Sequence, residues 1–270
     1  MNCKLFHDFE QAGWQRAAQF YANTFGTLTV EAIGPLLDSA QVGPGMRVLD
    51  VATGPGYVAA AAAARGASVI GIDFSLLMIE DARHRYPGVS FREGDAEELP
   101  FGASAFDAVV MNFGLLHLAR PEAAIAEAYR VLASGGRYAF TVWAKPEQAL
   151  GFGLVLRAME THGTLDVGLP EGPPFFRFSD PDECRGTLTG KGFVQADVRA
   201  IPLVWRLPSR SALFEAALHG GVRTSAALQA QTPTALAKIR DAVSAALEPY
   251  MDGDAVCLPM TVVLAWAVKP

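Results

Sequence analysis

The chain has 270 residues, of which 51% are hydrophobic and 19% charged, so it is long enough to bury a core without disulfides or a structural metal. Its 22 basic and 28 acidic residues give a net charge of −6 at pH 7, and no basic cluster offsets that charge, which argues against a nucleic-acid partner. The three cysteines, Cys3, Cys184 and Cys257, are scattered. We therefore expect neither a disulfide framework nor a zinc site, and a reducing cytoplasm as the compartment.

The termini carry no targeting or membrane signal. Polar residues interrupt every apolar run near the N-terminus, and the apolar stretch from Cys257 to Val268 is too short to cross a bilayer. That stretch is typical of a buried strand because Thr261, Val262 and Val263 are β-branched. The sequence therefore predicts neither a signal peptide nor a membrane span.

Two helices are predicted before any strand. Large side chains recur at mostly helical spacing between residues 6 and 25, and a second apolar pattern runs from Val30 to Leu37. The residues of the first pattern are Phe9, Trp14, Tyr21 and Phe25. Gly43, Pro44 and Gly45 then end the helical region.

Between residues 46 and 145, short β-branched runs alternate with alanine-rich stretches such as Ala59 to Ala64. The predicted strands are Val48 to Val51, Ser68 to Ile72, Val89 to Phe91, Ala108 to Met111 and Tyr138 to Val142. This alternation predicts an α/β fold with a doubly wound, Rossmann-like parallel sheet covered on both faces.

Beyond residue 145 the alternation is less regular. We first expect a helix near Leu150 to Met159 and a helix that starts at Ser179 with Asp182 as its capping partner. A long strand or a bent pair of strands follows from Val194 to Leu207. The rest is expected to form helices between residues 210 and 250, interrupted at Pro233, and a last strand from Val256 to Val268.

The most informative segment is a strand, a glycine-bounded turn and a helix start at residues 48–57. Gly54 and Gly56 let the backbone approach a ligand closely, and the helix start offers free N–H groups. The pattern Gly54-x-Gly56-x-x-Ala59 also fits a dinucleotide fingerprint, with Asp73 at a suitable distance to hold ribose hydroxyls. A tight turn without a ligand is the alternative.

Polar residues follow three further predicted strands. Asp73 ends the second strand beside Phe74, a pair suited to a ribose diol and an adenine face. The acidic segment 93–98 follows the third strand, and Asn112 ends the fourth. Each acid has an alternative role as the cap of the next helix.

The order and spacing of these four segments resemble the class I S-adenosylmethionine-dependent methyltransferases, and are most similar to the small-molecule branch that includes the ubiquinone/menaquinone biosynthesis (type 11) enzymes. The resemblance covers residues 45–145. It implies a seven-stranded, mostly parallel sheet with an antiparallel last strand. It also implies lid helices in residues 1–45, a cofactor-binding core in 46–145, and further strands with substrate-cap helices in 146–270, all within a single domain.

The resemblance further implies S-adenosylmethionine as the cofactor, S-adenosylhomocysteine as the product, and a set of cofactor-binding residues. Glycines of the turn would line the methionine part, Asp73 would bind the ribose, and Asp95 would read the adenine edge. Asp50 would orient the turn and the ligand's ammonium group. The full expected set is Tyr21, Asp50, Ala52, Thr53, Gly54, Gly56, Asp73, Phe74, Met78, Gly94, Asp95, Ala96, Asn112 and Phe113. Asp107 corresponds to a structural residue and is left out.

In a methyltransferase the cofactor brings the electrophilic methyl group. The protein therefore has to align the acceptor with that group and exclude water from the site, and acid–base groups are less important. A base helps only with an acceptor that is protonated at working pH, and His117 is the candidate catalytic residue. A hydrogen bond to its own loop is the alternative role for His117. His162 and His219, in the variable segments, are the other candidate bases.

Two aromatic groups have alternative interpretations. Tyr21 and Phe25 would lie, by the resemblance, on a helix over the cofactor, where an aromatic face near a sulfonium is favourable. Packing of the whole N-terminal stripe onto the domain is the alternative. Likewise Phe175, Phe176 and Phe178 would line an apolar acceptor pocket or bury a loop.

The acceptor is expected to be a small, partly apolar molecule, methylated on O, C or N. The fourth strand ends in Met111 to Gly114 and lacks the Pro-Pro tetrad of amino-methylating nucleic-acid enzymes. One rival is a cofactor-binding member of the fold that transfers no methyl group. Another is a NAD(P)-dependent oxidoreductase, which the two preceding helices and the lack of a Tyr-x-x-x-Lys pair oppose. The apolar last strand and the cap helices would support a homodimer.

Overall fold

The computed structural model describes residues 2–270. Its helices are α1 (Cys3–Tyr21), α2 (Gly26–Thr29), α3 (Ile33–Ser39), α4 (Tyr57–Ala64), α5 (Leu76–Arg85), α6 (Pro121–Val131), α7 (Leu150–His162), α8 (Pro181–Gly190), α9 (Ala212–His219), α10 (Arg223–Gln229) and α11 (Pro233–Ala246). The strands are β1 (Arg47–Val51), β2 (Ser68–Asp73), β3 (Ser90–Glu93), β4 (Phe106–Asn112), β5 (Leu132–Trp143), β6 (Val194–Leu207), β7 (Met251–Asp252) and β8 (Ala255–Val268).

All of these strands lie in one sheet, in the order β3-β2-β1-β4-β5-β8-β6, with β7 paired to β8. Strands β1 to β5 run parallel to one another, and β8 runs antiparallel to both β5 and β6. The predicted mostly parallel sheet with an antiparallel last strand is therefore confirmed. The additional strand, β7, was missed because two residues are too short to show an alternating pattern.

Helices cover both faces of the sheet, and the central strands are apolar on both sides. In β1, Leu49 and Val51 pack into one core cluster while Val48 packs into the other, as the two-residue period of a strand requires. The alanine-rich α4 buries Ala59 and Ala62 in the second cluster, so its small side chains let it lie close to the sheet.

The first helix ends earlier than the sequence pattern predicts. The hydroxyl of Thr24 donates to the carbonyl oxygens of Phe20 at 2.9 Å and Tyr21 at 3.3 Å. These bonds occupy carbonyls at the C-terminus of α1, and the chain turns at residues 22–25. Phe25 therefore lies in the turn before α2 and not on α1.

The predicted start of α8 at Ser179 is wrong by two residues. The helix begins at Pro181, and the carboxylate of Asp180 caps it by accepting from the backbone N–H of Asp182 at 2.9 Å. Ser179 instead ends a short 3₁₀ turn, where its hydroxyl donates to the carbonyl of Phe176. Pro233 similarly starts α11 and does not break a helix.

The C-terminal half of the chain completes the same sheet. Because β8 is paired on both sides, the apolar last strand offers no free edge to a second copy, which removes one reason given above for a homodimer. Among residues 2–270, no helix has the length and apolar character needed to span a bilayer.

Candidate active site

The carboxyl ends of β1, β2 and β4 meet where the strand order reverses between β1 and β4, which is the usual ligand position in an open α/β sheet. A cavity of about 590 Å³, including its open mouth, lies there. We call it the first cavity. Its walls are Trp14, Tyr21, Ala52, Gly54, Asp73, Phe74, Met78, Gly94, Asp95, Ala96, Asn112, Phe113, Gly114, His117 and Leu118.

Asp73 is the buried acid in this wall. Its Oδ2 accepts from the backbone N–H of Gly54 and its Oδ1 from that of Ser75, both at 2.9 Å. Burial raises the pKa of Asp73 to about 6, and the two backbone hydrogen bonds oppose that shift. Each carboxylate oxygen has two lone pairs, so the ionised side chain can accept further hydrogen bonds from a ligand.

Gly54 keeps the cavity wall open. Its φ of +53° lies in the left-handed region that favours glycine, and a Cβ built there would meet no atom within 4 Å. The space that a side chain would occupy is therefore free for a ligand that approaches the backbone.

Asp50 and Thr53 lie behind the turn, outside the first-cavity wall. Asp50 is fully buried, its Oδ2 accepts from the hydroxyl of Thr53, and its Oδ1 has no hydrogen-bond partner among the described residues. Burial raises the pKa of Asp50 to about 7. In this structure Asp50 fixes the conformation of the turn.

Gly56 is also outside the first-cavity wall, and packing explains why it is a glycine. It precedes α4 with a φ of +84°, and a Cβ there would lie 2.7 Å from the ring of Phe91 and 3.1 Å from Ala82. A larger residue would therefore push the helix away from the sheet. The other predicted cofactor residues, Tyr21, Ala52, Gly54, Asp73, Phe74, Met78, Gly94, Asp95, Ala96, Asn112 and Phe113, all line the cavity.

Helix α1 lies across the rim formed by residues 74–77. Gln11 donates to the carbonyl of Phe74 at 2.9 Å, and the side-chain oxygen of Gln15 accepts from the backbone N–H of Leu77 at 3.1 Å. His7 Nε2 lies 3.2 Å from Asp95 Oδ2. These contacts hold the helix over the edge of the cavity.

Trp14 is a wall residue that sequence analysis assigned to packing. It lies seven residues before Tyr21, and their rings meet edge to face with centroids 5.7 Å apart. The seven-residue spacing was the available signal, because it places both rings on one face of α1.

A second, aromatic cavity of about 510 Å³ adjoins the first and shares Trp14, Tyr21, Phe113 and His117 with it. We call it the aromatic cavity. Its other walls are Phe25, Thr29, Trp143, Phe152, Phe175, Ala217 and residues 220–224. Phe25 stacks on Phe152 at 5.7 Å and Phe113 on Trp143 at 4.1 Å. The walls come from segments that are far apart in the sequence, so local patterns did not reveal them.

The three phenylalanines after Pro174 have different roles. Phe175 lines the aromatic cavity, Phe176 packs edge to face against Phe175, and Phe178 is buried in the core against Phe140. The segment thus contributes one ring to a cavity wall and another to the core, and the acceptor pocket stays a prediction.

Of the three candidate histidines, His117 lines the first cavity and the aromatic cavity, whereas His162 and His219 line neither. The Nδ1 of His117 is 3.0 Å from Oε2 of Glu10 on α1. His162 is exposed at the end of α7, and His219 contacts the ring of Phe20. The side chain of His117 is therefore bonded to α1 and not to its own loop.

Asn112 is held by its neighbours. Its side-chain amide donates to the carbonyl of Thr29 at 3.1 Å, and its oxygen accepts from the hydroxyl of Thr141 at 2.6 Å. Within residues 2–270, no cluster of His, Cys, Asp or Glu is arranged to hold a metal ion.

Comparison with known proteins finds a match for the region around the first cavity. Residues 49–140 match a family model described as a methyltransferase domain. These residues therefore resemble a methyltransferase domain, and we call residues 49–140 the methyltransferase domain. This domain contains the end of β1, all of β2 to β4 and most of the first-cavity wall.

Curated relatives of this methyltransferase domain include two demethylmenaquinone methyltransferases. The protein from Renibacterium salmoninarum is 40% identical over 119 residues, covering 44% of this chain and 47% of the relative. The protein from Thermus thermophilus is 44% identical over 117 residues, covering 41% and 53%. The chain thus spans about half the length of the curated relatives it matches.

A solved structure shows the same fold over most of the chain. The Haemonchus contortus phosphoethanolamine N-methyltransferase 2, solved with phosphomonomethylethanolamine and S-adenosylhomocysteine, matches with a TM-score of 0.55 and 20% identity. The match covers 89% of this chain and 52% of that one. The likeness therefore extends the fold of the methyltransferase domain into the flanking segments.

Proposed function

We propose that the protein is an S-adenosylmethionine-dependent methyltransferase that acts on a small, partly apolar molecule by in-line transfer. The observation that carries this proposal is the first cavity, which places a glycine turn and the buried Asp73 at the carboxyl ends of the strands. The aromatic cavity adjoins it, so two ligands can meet at their shared wall.

The residues present fit the cofactor. The ionised Asp73 supplies acceptor sites for ribose hydroxyls, and the open space over Gly54 admits an amino-acid chain against the backbone. Phe74 and Met78 offer apolar surface to an adenine ring, beside Asp95 as an acceptor. The buried Oδ1 of Asp50, behind the turn, has no hydrogen-bond partner and is left to accept from the ammonium group directly or through water.

The bound cofactor supplies an electrophilic methyl group on a sulfonium. The chain's own part is to align the acceptor and exclude water. Trp14, Tyr21 and Phe113 form apolar walls at the junction of the cavities, where an aromatic face also stabilises positive charge. Burial raises the pKa of Tyr21 to about 12, so its phenol stays neutral near pH 7 and hydrogen-bonds Thr29.

We propose His117 as the general base for a hydroxylated acceptor. It lies in the wall common to both cavities, within reach of a group that enters from either side. The acceptor oxygen gives its proton to the imidazole and keeps the electron pair of the O–H bond as the nucleophile.

The aromatic cavity favours a flat aromatic acceptor. Its walls present the rings of Trp14, Tyr21, Phe25, Phe113, Trp143, Phe152 and Phe175. Such a surface binds planar apolar molecules through stacked and edge-to-face contacts. The curated relatives are named for a quinone acceptor. We therefore propose a hydroxylated aromatic, quinol-like molecule, methylated on oxygen or on a ring carbon.

We also propose that the protein works in a reducing compartment such as the cytoplasm. All three cysteines are free thiols, and Cys184 is fully buried. The homodimer stays a prediction, which sedimentation velocity would test.

Isothermal titration calorimetry with S-adenosylhomocysteine tests the cofactor, with NADH as the control ligand. We expect micromolar binding of S-adenosylhomocysteine alone, and about 30-fold weaker binding by Asp73→Ala because hydrogen bonds to a charged group are lost. Asp107→Ala is the matched control, since Asp107 pairs with Arg47 and lies outside the first-cavity wall. Binding of NADH, or of neither ligand, would overturn the proposal.

A further inference from the structure

A buried ion pair connects α1 to the wall that the two cavities share. Glu10, on α1, is 0% exposed. Its Oε1 accepts from Nε of Arg223 at 2.7 Å, and its Oε2 lies 3.0 Å from Nδ1 of His117. One carboxylate thus contacts a permanent cation on one oxygen and the imidazole on the other.

Arg223, at the start of α10, also holds the turn that carries the other partner of this carboxylate, His117. Its Nη2 donates to the carbonyl of Leu116 at 2.8 Å, which belongs to the short turn that carries His117. Its Nη1 donates to the carbonyl of Pro173 at 2.7 Å, and its guanidinium lies 4.5 Å from the ring centroid of Phe6. The guanidinium therefore compensates the buried charge of Glu10 and holds the His117 turn in place.

The ring of His117 is also restrained sterically. Trp14 meets it at an interplanar angle of 90° and a centroid distance of 4.8 Å, and Phe175 meets it at 74° and 5.7 Å. With Nδ1 directed at Glu10, the ring has one remaining nitrogen, Nε2, that can serve a ligand.

A carboxylate facing Nδ1 selects the tautomer that carries the proton on Nδ1. Nε2 then has a free lone pair and can accept a proton from an acceptor hydroxyl. We propose that Glu10 and Arg223 are positioning residues that set this tautomer of His117, so the base is complete only when α1 lies over the cavity. This inference rests on the proposed function, in which His117 acts as the base.

In the step that this arrangement serves, the acceptor O–H bond breaks, its proton moves to Nε2, and its electron pair remains on the acceptor. The proton later passes from Nε2 to solvent. Glu10 keeps its hydrogen bond to Nδ1 throughout and stabilises the transient imidazolium.

Nitrogen NMR on the full chain with S-adenosylhomocysteine tests the tautomer directly. The protein is labelled with ¹⁵N in its five histidines, and the His117 signals are assigned by their loss in His117→Asn. We expect the proton on Nδ1 in the wild type. In Glu10→Gln, the side-chain amide that faces Nδ1 becomes a donor, and the proton moves to Nε2 as the major form.

Glu127→Gln is the matched control. Glu127 is also a carboxylate in an ion pair, with Arg130, and it lies in neither cavity wall. We expect the His117 signals of Glu127→Gln to equal those of the wild type. If Glu10→Gln does not fold, Arg223→Lys replaces it, because lysine keeps the charge but cannot reach the three acceptors at once, and a mixture of tautomers is expected.

A wild-type proton on Nε2, or an unchanged Nδ1 proton in the folded Glu10→Gln variant, would overturn the positioning role. A merely structural ion pair would lower the melting temperature of Glu10→Gln without moving the proton. Calorimetry with S-adenosylhomocysteine on the same samples reports the proposed function separately, because failure to bind leaves the tautomer measurable without ligand.

Discussion

The carboxylate of Asp73, the last residue of β2, accepts a 2.9 Å hydrogen bond from the backbone N–H of Gly54, in the turn after β1. This bond joins the ends of two neighbouring strands and presents the carboxylate to the first cavity. The acid that would bind the cofactor is therefore also the one that shapes the turn around it.

The affinity for S-adenosylhomocysteine should rise as the pH increases past the pKa of Asp73. The pKa of Asp73 is about 6 in the free protein, and only its ionised form accepts from two ribose hydroxyls. We expect affinity to increase about tenfold from pH 5 to pH 8, measured by calorimetry. Asp73→Asn should bind weakly with a flat profile, and the same slope in that variant would assign the pH dependence to another group.

Stability should depend on pH through Asp50. Its pKa is raised from 3.8 to about 7 by burial, so the folded state binds the proton more tightly than the unfolded state. This contribution to stability is fully present below pH 3.8 and is lost as pH rises through about 7. Ionised Asp50 therefore destabilises the fold at neutral pH.

Replacement of Asp50 by Asn tests that sign. We compare the free energy of unfolding of Asp50→Asn with that of the wild type at two pH values. The change that the substitution causes should be about 2 kcal/mol more favourable at pH 8 than at pH 5. Urea denaturation at both pH values measures the difference, in which any pH-independent loss of the Thr53 hydrogen bond cancels. An equal effect at the two pH values would contradict the raised pKa.

Gly56→Ala should destabilise the protein by about 1–3 kcal/mol, because it adds both a strained φ and a contact with Phe91. Urea denaturation is the measurement. Gly102→Ala is the control, since a Cβ there meets nothing within 4 Å and its φ lies outside the left-handed range. Equal effects of the two substitutions would show that the close approach of Gly56 to Phe91 has no energetic consequence.

Phe175→Leu should weaken binding of the acceptor and leave binding of the cofactor unchanged. Phe175 lines the aromatic cavity and is absent from the wall of the first. With 1,4-dihydroxynaphthalene as the probe and radiolabelled S-adenosylmethionine, we expect KM for the probe to rise about five- to tenfold. Phe20→Leu, outside both cavity walls, is the control. A change in S-adenosylhomocysteine affinity without a change in KM would reverse the proposed roles of the cavities.

A thiol reagent should modify Cys3 and Cys257 but not Cys184 in the folded protein. Cys184 is 0% exposed, and burial raises the pKa of its thiol to about 12. We expect Ellman's reagent to count two thiols in buffer and three in guanidinium. Three fast-reacting thiols in buffer would show that the packing of α8 on the sheet opens readily.

The methyltransferase domain was readable from the sequence because its signals are local. A strand, its terminal polar residue and the next turn are adjacent in the chain, so Asp73 and Asn112 could be placed correctly from their own segments. These local signals did not distinguish Asp50, which lies outside the cavity wall, from Asp73, which lines it. Asp50 lies one residue before the end of β1 while Asp73 is the last residue of β2, and this difference decides which carboxylate lines the cavity.

The aromatic cavity could not be predicted from the sequence, because its walls come from separate segments spread between residues 14 and 224. Phe25, Phe152 and Thr224 meet only after the cap helices pack on the sheet. The pairing of Glu10 with Arg223 spans 213 positions and leaves no periodic pattern. Only the tertiary packing brings these residues together.

The two cavities draw on different parts of the chain, and this separation bears on how the protein can change. Ten of the fifteen residues in the first-cavity wall lie between residues 52 and 113, inside the region that matches the family model. The part of the aromatic cavity not shared with the first comes mostly from residues 143–175 and 217–224. Under the proposed function, exchange of the segments 143–175 and 217–224 would therefore change the acceptor and leave the cofactor site intact.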